Sequence, residues 1–403
     1  MEKELEAYRN EMEIELAEIL DYWMRRTVDN EAGGFYGTIN YADKLIADDP
    51  KGSVLNARIL WSFSSAYRLT NKDEYLKNAT RAFDYLNSFF IDKEFGGVYW
   101  TVDHLGAPLD TKKKVYAIAF CIYGFSEYYR ATNNDDAKQM AMSLYRDVEL
   151  HAHDSQYGGY FEAYSRDWSS IDDLRLSPKD ANEKKSMNTH LHVLEAYANL
   201  YKIWPDQKLK YRIQQMLQIF DQHIIDHSTN HLYLFFNESW KVSPAAISFG
   251  HDIEAAWLLQ EAAESIEDES LIKKTKEVAL QLADAVVIAI DDDGGLWYEY
   301  ESSPHHLIKE KHWWPQAESM VGYFNAWQIN GDKKYFDHSK ASWNFVKNKL
   351  KDTINGEWYW GIKDDDTLMK EDKAGLWKCP YHNSRACMEL IQRVNAEIGL
   401  QKC

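Results

Sequence analysis

The sequence predicts an all-α fold, an (α/α)6 barrel with short β-hairpins at one side, and two observations lead to this prediction. First, a Gly pair or a relic of one, followed by aromatic and β-forming residues, occurs six times along the 403 residues. The copies read GGFYG, GGVYW, GGYFE, NHLYLFF, GGLWYEY and GEWYW. Second, successive copies are 62 to 64 residues apart, except for one step of 72. A fixed period indicates a repeated unit that buries its apolar face only against its neighbours.

Each motif is followed by a strongly apolar segment, and these six segments predict an inner ring of helices. The segments begin near SVLNARILWSF, KKVYAIAFCIYGF, SMNTHLHVLEAYANL, GHDIEAAWLLQEA, WPQAESMVGYFNAW and CPYHNSRACMELI. They are apolar on more than one face, which is typical of helices packed on both sides. Two helices fit into each unit, so the units are expected to form a closed ring with one concave site at its centre.

Between each apolar segment and the next motif lies a more amphipathic segment, which predicts an outer ring. The clearest example carries apolar residues in the 3-4-3-4 spacing of a one-sided helix. These residues are Leu76, Ala79, Phe83, Leu86 and Phe90.

The N-terminal segment, residues 1–24, is helical in pattern but has no inner partner before the first motif. We therefore expect it to close the ring by pairing with the last inner helix, residues 380–396. No linker rich in Pro, Gly or Ser separates the units, so residues 1–403 are predicted to form a single catalytic domain. The extra length of the third unit lies at residues 165–187, a polar stretch without periodicity. This stretch is either a lid over one mouth of the barrel or a solvated insertion.

Composition excludes several classes of partner. The net charge of −18 argues against nucleic acid and against an anionic membrane surface. The N-terminus lacks the apolar core of a signal peptide, and no stretch approaches the roughly 20 apolar residues of a membrane span. The four cysteines, Cys121, Cys379, Cys387 and Cys403, form no CxxC pair, which fits a reducing cytoplasm.

Unusual polar and aromatic residues occur near the N-terminal ends of the inner helices. Asn188 and His192 are four residues apart and share a helix face, and His251 and Glu254 are three apart. Trp314 precedes Pro315, a residue favoured at the first helical position. Because these helix ends meet at one mouth of a ring, we expect their side chains to form a common site. The full set is Arg58, Tyr116, Asn188, His192, His251, Glu254, Trp314, Glu318, Trp377 and His382.

Each of these residues also has a purely structural interpretation. A histidine can be satisfied within the core, Arg58 can form an ion pair with Glu254 or Glu318, and the tryptophans can be ordinary packing residues. The matching register of so many unusual residues favours a shared functional site. Imidazoles suit proton transfer near neutral pH, and indoles suit stacking on sugar rings.

Other chemistries find less support in the sequence. His190-x-His192 and His151-x-His153 look like metal-binding pairs, but side chains two residues apart in a helix diverge by about 200°. HExxH, a P-loop, GxSxG and a GxGxxG after a strand are all missing, so we expect neither a metal nor a nicotinamide cofactor.

Five strings together resemble the N-acylglucosamine 2-epimerase superfamily over essentially the whole chain. They are NARILW (56–61), MNTHLHVLEAY (187–197), GHDIEAAWLL (250–259), KHWWPQAE (311–318) and WKCPYHN (377–383). The resemblance implies an (α/α)6 barrel, no redox cofactor and reversible inversion at C2 of a reducing-end sugar. Within the superfamily it points to the branch that acts on β-1,4-linked disaccharides, cellobiose and lactose. It also implies that His251 and His382 are the catalytic pair and that the other eight residues line the sugar site.

The mechanism expected from these residues opens the sugar ring and removes the C2 proton. His382 would assist ring opening and take that proton, giving a cis-enediol or enediolate. A second base such as His251 would return a proton to the opposite face, if the C2–C3 bond rotates or if the two histidines flank C2; the sequence does not assign a histidine to each face. Glu254 would orient His251, and Arg58 would stabilise charge on the carbonyl oxygen. Glu318, Asn188 and His192 would bind sugar hydroxyls.

Several other functions remain open at this stage. They are an aldose–ketose isomerase acting on mannose or glucose, an N-acylhexosamine 2-epimerase, a glycoside hydrolase using Glu254 and Glu318, and a binding module. The expected partner is a small sugar, and the chain is expected to be a monomer or a weak homodimer.

Overall fold

The computed structural model describes residues 1–243, 246–301 and 305–399, which form twelve α-helices arranged in two concentric rings. The helices are α1 (Glu2–Arg26), α2 (Ser53–Thr70), α3 (Asp73–Tyr85), α4 (Val115–Thr132), α5 (Asp135–His151), α6 (Met187–Tyr201), α7 (Gln207–Ile219), α8 (Phe249–Ser265), α9 (Glu269–Val286), α10 (Trp313–Asn330), α11 (Lys333–Phe345) and α12 (Tyr381–Glu397). The even-numbered helices form the inner ring. Each contacts the next one along the chain, and α12 contacts α2, so the ring closes. The (α/α)6 barrel predicted from the sequence is confirmed.

The odd-numbered helices form the outer ring, and each packs chiefly against one inner helix. Helices α3, α5, α7, α9 and α11 pack on the inner helix that precedes each of them, whereas α1 packs on α12. The N-terminal helix therefore closes the ring, as its sequence position predicts. In α3, Ala79 and Phe83 face the core, and the apolar stripe continues through a π-helical turn at Leu86–Phe90.

Short strands at one side of the barrel connect the helices. They are β1 (Thr38–Ile39), β2 (Leu45–Ile46), β3 (Lys51–Gly52), β4 (Thr101–Val102), β5 (Pro108–Asp110), β6 (Lys113–Lys114), β7 (Ala163–Tyr164), β8 (Lys185–Ser186), β9 (Ile225–Asp226), β10 (His231–Leu232), β11 (Phe235–Phe236), β12 (Val242–Ser243), β13 (Ala246–Ser248), β14 (Glu299–Glu301), β15 (His306–Ile308), β16 (Lys311–His312) and β17 (Gly361–Ile362). All the strand pairs are antiparallel. The predicted hairpins are thus confirmed as pieces of two or three residues.

In five of the six units the repeated motif forms a tight turn that an ion pair ties to the segment before the inner helix. In the first unit the Asp29 carboxylate accepts two backbone N–H groups of the turn and binds Lys51 Nζ at 2.7 Å. Lys51 lies two residues before α2, so this buried ion pair ties the turn to the start of the helix. Equivalent pairs are Lys113 with Asp92, Lys185 with Asp154, Lys311 with Asp291, and Lys373 with Asp352.

The fourth unit, which lacks the Gly pair, uses a different contact. His231 Nδ1 lies 2.7 Å from Asp252 Oδ2, and Asp252 Oδ1 accepts the backbone N–H of Leu232. Asp252 is the neighbour of His251, so the contact fixes the first turn of α8.

The described part of the chain contains no helix that combines the length and the apolarity needed to cross a membrane. Cys121, Cys379 and Cys387 are buried and unpaired, and Cys403 lies outside the described residues.

Candidate active site

The first turns of the inner helices surround a cavity of about 1140 Å³ at the hairpin side of the barrel. Nine of the ten predicted site residues line it, namely Arg58, Tyr116, Asn188, His192, His251, Glu254, Trp314, Trp377 and His382. The tenth, Glu318, is buried behind the wall and contacts His382. The convergence expected from the matching register is therefore present in the structure.

His382 is held by a buried carboxylate. Its Nδ1 lies 2.7 Å from Glu318 Oε1, and Trp257 Nε1 donates to the other oxygen of Glu318 at 3.1 Å. If Nδ1 carries the proton and donates it to Glu318, Nε2 is left with a lone pair. Burial, with the nearby charges of Arg58 and Arg385, lowers the pKa of His382 well below its ordinary value. The imidazole is therefore neutral at physiological pH and able to act as a base.

A buried guanidinium, Arg385, connects the carboxylates of three inner helices. Its Nη2 donates to Glu318 Oε1 at 2.6 Å and to Glu254 Oε1 at 2.7 Å, and its Nη1 donates to Glu195. Tyr381 donates to the same oxygen of Glu195. The sequence-based site missed Arg385, Glu195 and Tyr381.

Helix register was the signal for Arg385. It follows His382 by three residues, as Glu254 follows His251. It is the fifth residue of α12, one position from the sixth residue of the other inner helices. Those residues are Arg58, Phe120, His192, Glu254 and Glu318.

The pKa values of the three carboxylates that contact Arg385 are shifted in different directions. Burial and the neighbouring charge of Glu318 raise the pKa of Glu254 to about 8, although Arg385 opposes this shift. Burial raises the pKa of Glu318 too, again against Arg385. Glu195 is as deeply buried, but Arg385 and His192 hold its pKa at about 2. Near neutral pH the cluster thus combines an ionised Glu195 with a Glu254–Glu318 pair that retains a proton.

His192 forms a second imidazole–carboxylate pair. Its Nδ1 lies 2.9 Å from Glu195 Oε2, and its ring packs edge-on against Tyr116 with 5.2 Å between centroids. His190 points elsewhere: its Nδ1 lies near Ser186 O, and its Nε2 accepts the backbone N–H of Tyr160. The two histidines diverge as the helix geometry predicts, and they form no metal pair.

His251 has a simpler environment than His382. Its Nδ1 lies 2.8 Å from the hydroxyl of Ser248, the last residue of β13, rather than near Glu254 as the sequence suggested. The ring of Trp314 contacts both catalytic candidates, with centroids 4.7 Å from His251 and 5.7 Å from His382. Burial and the nearby His192 lower the pKa of His251 to about 3.

Arg58 lies on the wall beside His192. Its Nη2 donates to the Tyr116 hydroxyl at 2.7 Å, its Nη1 donates to Trp377 O at 3.4 Å, and its guanidinium packs over Phe120. The described contacts of Arg58 include no ion pair with Glu254 or Glu318, so that structural interpretation is wrong. Among the described residues, Arg58 Nε and Asn188 Oδ1 have no hydrogen-bond partner. Buried groups of this kind are suited to binding a polar ligand.

Part of the insertion at residues 165–187 covers the cavity. Residues 174–181 and Glu183 line it, with Leu174 and Leu176 buried. Lys114 Nζ anchors the segment by donating to Arg175 O at 2.8 Å and Leu176 O at 3.3 Å. The stretch thus forms part of the site wall, which favours a covering role over a solvated insertion.

Ligand atoms of Glu254, Glu318 and His382 lie within 4.8 Å of one another, a spacing that a metal ion could use. Arg385 Nη2 donates to both carboxylates, so a fixed positive charge already lies beside them. The donor set therefore suits an imidazole–carboxylate acid–base pair better than a metal centre.

Comparison with known proteins adds to this geometry. A sequence model of the N-acylglucosamine 2-epimerase (GlcNAc 2-epimerase) family matches residues 34–386. The chain is 47% identical to a cellobiose 2-epimerase of Bacteroides fragilis, over 96% of this chain and 99% of that protein. It is 39% identical to a cellobiose 2-epimerase of Ruminococcus albus, over 93% of this chain and 96% of that protein. The structure of cellobiose 2-epimerase from Bacillus thermoamylovorans superimposes with a TM-score of 0.91 at 37% identity, covering 98% of this chain and 100% of that one.

Proposed function

Because the chain belongs to the N-acylglucosamine 2-epimerase family and is a carbohydrate epimerase, we propose that it inverts C2 of the reducing-end sugar of β-1,4-linked disaccharides. The observation that carries this proposal is the pair of imidazoles, His382 and His251, that line one cavity and contact one indole ring. The names of the relatives support cellobiose as a substrate, and lactose shares its β-1,4 linkage.

The chemistry follows from the acidity of a proton next to a carbonyl. Opening of the hemiacetal ring exposes the C1 aldehyde, and the C2 proton can then be removed by a base. His382 takes this proton through Nε2, and Glu318 stabilises the imidazolium that forms. The product of this step is a cis-enediol or enediolate. Protonation of C2 on the opposite face, assigned to His251, gives the epimer. His251 takes a replacement proton from solvent as it delivers its own, and the imidazolium of His382 releases its proton to solvent, so both rings end the cycle neutral.

The wall opposite Trp314 supplies electrostatic stabilisation. Arg58 is buried and fixed by Tyr116 and the backbone of Trp377, so its charge is aligned before reaction. We assign it to the O1 oxygen, where negative charge develops in the enediolate. A preorganised donor of this kind contributes about 3 to 4 kcal/mol of transition-state stabilisation. Asn188 is assigned to a sugar hydroxyl, and Trp314 and Trp377 to the faces of the pyranose rings.

The rival functions differ in product. An aldose–ketose isomerase would return the proton to C1 and form a ketose, and an N-acylhexosamine 2-epimerase would accept N-acetylglucosamine. A glycoside hydrolase would release free glucose and needs two carboxyl groups flanking the scissile bond. Glu254 and Glu318 fit that last role poorly, because one guanidinium nitrogen binds both and Glu318 does not line the cavity.

We also propose that the enzyme needs no cofactor, is cytoplasmic, and is a monomer or a weak homodimer. The reaction as written moves only protons, so it needs neither a metal nor a redox cofactor. Three buried, unpaired cysteines fit a cytoplasmic enzyme. A single chain supplies every assigned residue, which is compatible with a monomer or a weak homodimer.

Proton NMR of cellobiose incubated with chelator-treated protein in D2O tests the proposal. We expect a reducing-end mannose that carries deuterium at C2. Ketose signals would favour the isomerase and free glucose the hydrolase. Turnover of N-acetylglucosamine instead of cellobiose would assign the protein to another branch of the family.

A further inference from the structure

His192 has the local environment of a proton-transfer group as well as that of a sugar-binding group. It is buried, it lines the cavity, and its Nδ1 lies 2.9 Å from a carboxylate, as the Nδ1 of His382 lies 2.7 Å from Glu318. A side chain that only binds a hydroxyl does not require a carboxylate at its far nitrogen. In both pairs the carboxylate sets the tautomer and can compensate an imidazolium.

The carboxylate partner, Glu195, is itself firmly fixed. Its Oε1 accepts from Tyr381 and from Arg385, and its Oε2 contacts His192. Arg385 and His192 hold the pKa of Glu195 at about 2, so Glu195 is ionised and accepts the Nδ1–H of His192. Nε2 of His192 is then the free basic nitrogen.

The aromatic neighbours of His192 differ from those of the other two imidazoles. Its ring centroid lies 5.2 Å from Tyr116 and 4.7 Å from Phe120, the two rings that also contact Arg58. His251 and His382 lie instead against Trp314. If Arg58 binds O1, His192 is the imidazole beside the C1 oxygens, and the other pair is beside C2.

We propose that the His192–Glu195 pair opens and recloses the sugar ring, while His382 and His251 exchange the proton at C2. This inference rests on the proposed function and reassigns ring opening, which the sequence-based mechanism gave to His382. Nε2 of His192 takes the proton of the O1 hydroxyl, the C1–O5 bond breaks as C1=O1 forms, and the same proton is delivered to O5. O1 and O5 are bonded to the same carbon, so one nitrogen reaches both. His192 ends the step neutral, and no other reactant is needed.

Catalysis of mutarotation tests this step separately from C2 inversion, because ring opening alone interconverts the two anomers. Freshly dissolved α-lactose at saturating concentration is followed by polarimetry in dilute buffer with each variant. His251→Asn is expected to accelerate mutarotation as the wild type does, although it forms little epimer. Adding His192→Asn to that variant is expected to lower the catalysed rate about 100-fold.

Two further variants keep the test decisive. Glu195 does not line the cavity, so Glu195→Gln leaves the sugar contacts in place and is expected to lower catalysed mutarotation at least about tenfold. The matched control is His190→Gln on the same helix, which is expected to keep the wild-type rate. Circular dichroism checks the fold of each variant.

Failure of the ring-opening assignment and failure of the proposed function give different results. Wild-type mutarotation rates in both the His192 and Glu195 variants would overturn the ring-opening assignment while leaving C2 epimerisation intact. A wild-type enzyme that neither epimerises lactose or cellobiose at C2 nor accelerates mutarotation would instead overturn the proposed function itself.

Discussion

The two imidazoles assigned to C2 differ in burial and in surroundings, because His382 is buried and His251 is half-buried. His382 contacts a carboxylate that Arg385 and Trp257 hold in place, and the network extends across four inner helices. His251 contacts one hydroxyl, that of Ser248, at the end of a three-residue strand. One face of the cavity is therefore a charged hydrogen-bond network, and at the other a single hydroxyl contacts the imidazole beside Trp314.

This difference indicates unequal roles in proton transfer. Both pKa values are lowered by burial, so both rings rest in the neutral form. Once protonated, however, His382 faces a carboxylate that compensates its charge, whereas His251 has only a hydroxyl dipole. His382 is thus the better group to take the C2 proton and hold it, and His251 is suited to brief delivery of a proton.

The largest effect is expected from His382→Asn. Removing the base that starts the reaction should lower kcat for epimerisation by about 10⁴-fold, the upper end for general acid–base catalysis. Exchange of the C2 proton with D2O should disappear as well, as measured by proton NMR. Retention of substantial exchange in this variant, with native circular dichroism, would show that another group takes the proton.

His251→Asn should block a later step, the protonation of C2 on the opposite face. Epimer formation is expected to fall about 10³-fold, while exchange at C2 of the starting sugar continues because His382 still removes and returns the proton on one face. Mass spectrometry of the recovered sugar measures the deuterium. Epimer formation within tenfold of the wild type would mean that His382 serves both faces after rotation about C2–C3.

The sequence predicted the fold and most of the cavity wall because both depend on local patterns. The 62- to 64-residue period and the apolar helices can be predicted without knowledge of three-dimensional contacts. Arg58 and His251 are recognised because they are polar residues in apolar segments. The ion pairs between the turns and the lysines were not predicted, because an Asp beside the motif does not show that its partner is a lysine some twenty to thirty residues later.

The hydrogen-bond network could not be predicted in the same way. Arg385 and Glu195 are 190 residues apart and look like ordinary helix residues until the ring brings α6 and α12 together. For the same reason the sequence placed Glu318 in the sugar site, whereas its carboxylate lies behind His382 and binds Trp257 and Arg385. Helix register predicts which way a side chain points, but its partner is set by packing across the barrel.

Glu318→Gln should measure how much the carboxylate beside His382 contributes to kcat. The amide keeps the size of the side chain but cannot compensate an imidazolium, so kcat is expected to fall about 100-fold. KM should change little, because Glu318 does not line the cavity. Steady-state kinetics with cellobiose separates the two parameters, and a rise in KM alone would indicate that Glu318 binds the sugar directly.

The pH profile of kcat/KM should reflect the same network. The pKa of His382 is lowered, so protonation of the base should cost no activity as the pH falls from 7.5 to 6.5. The pKa of Glu254 is raised to about 8, and loss of its proton above that pH adds negative charge beside the forming enediolate. Activity is therefore expected to fall up to about tenfold per pH unit above 8. Glu254→Gln should remove this alkaline decline; a decline that persists would assign it to another group.

The smallest effect is expected from Ser248→Ala. Ser248 contacts Nδ1 of His251 as Glu318 contacts Nδ1 of His382. The substitution removes one neutral hydrogen bond, worth about 1 kcal/mol, so epimer formation should fall only about fivefold. The ring of His251 remains packed against Trp314, which limits its movement. If Ser248→Ala instead matched the loss in Glu318→Gln, the hydroxyl would have to act in proton delivery, and the two faces would be less unequal than their contacts indicate. Steady-state kinetics of both variants with cellobiose compares the two losses of activity directly.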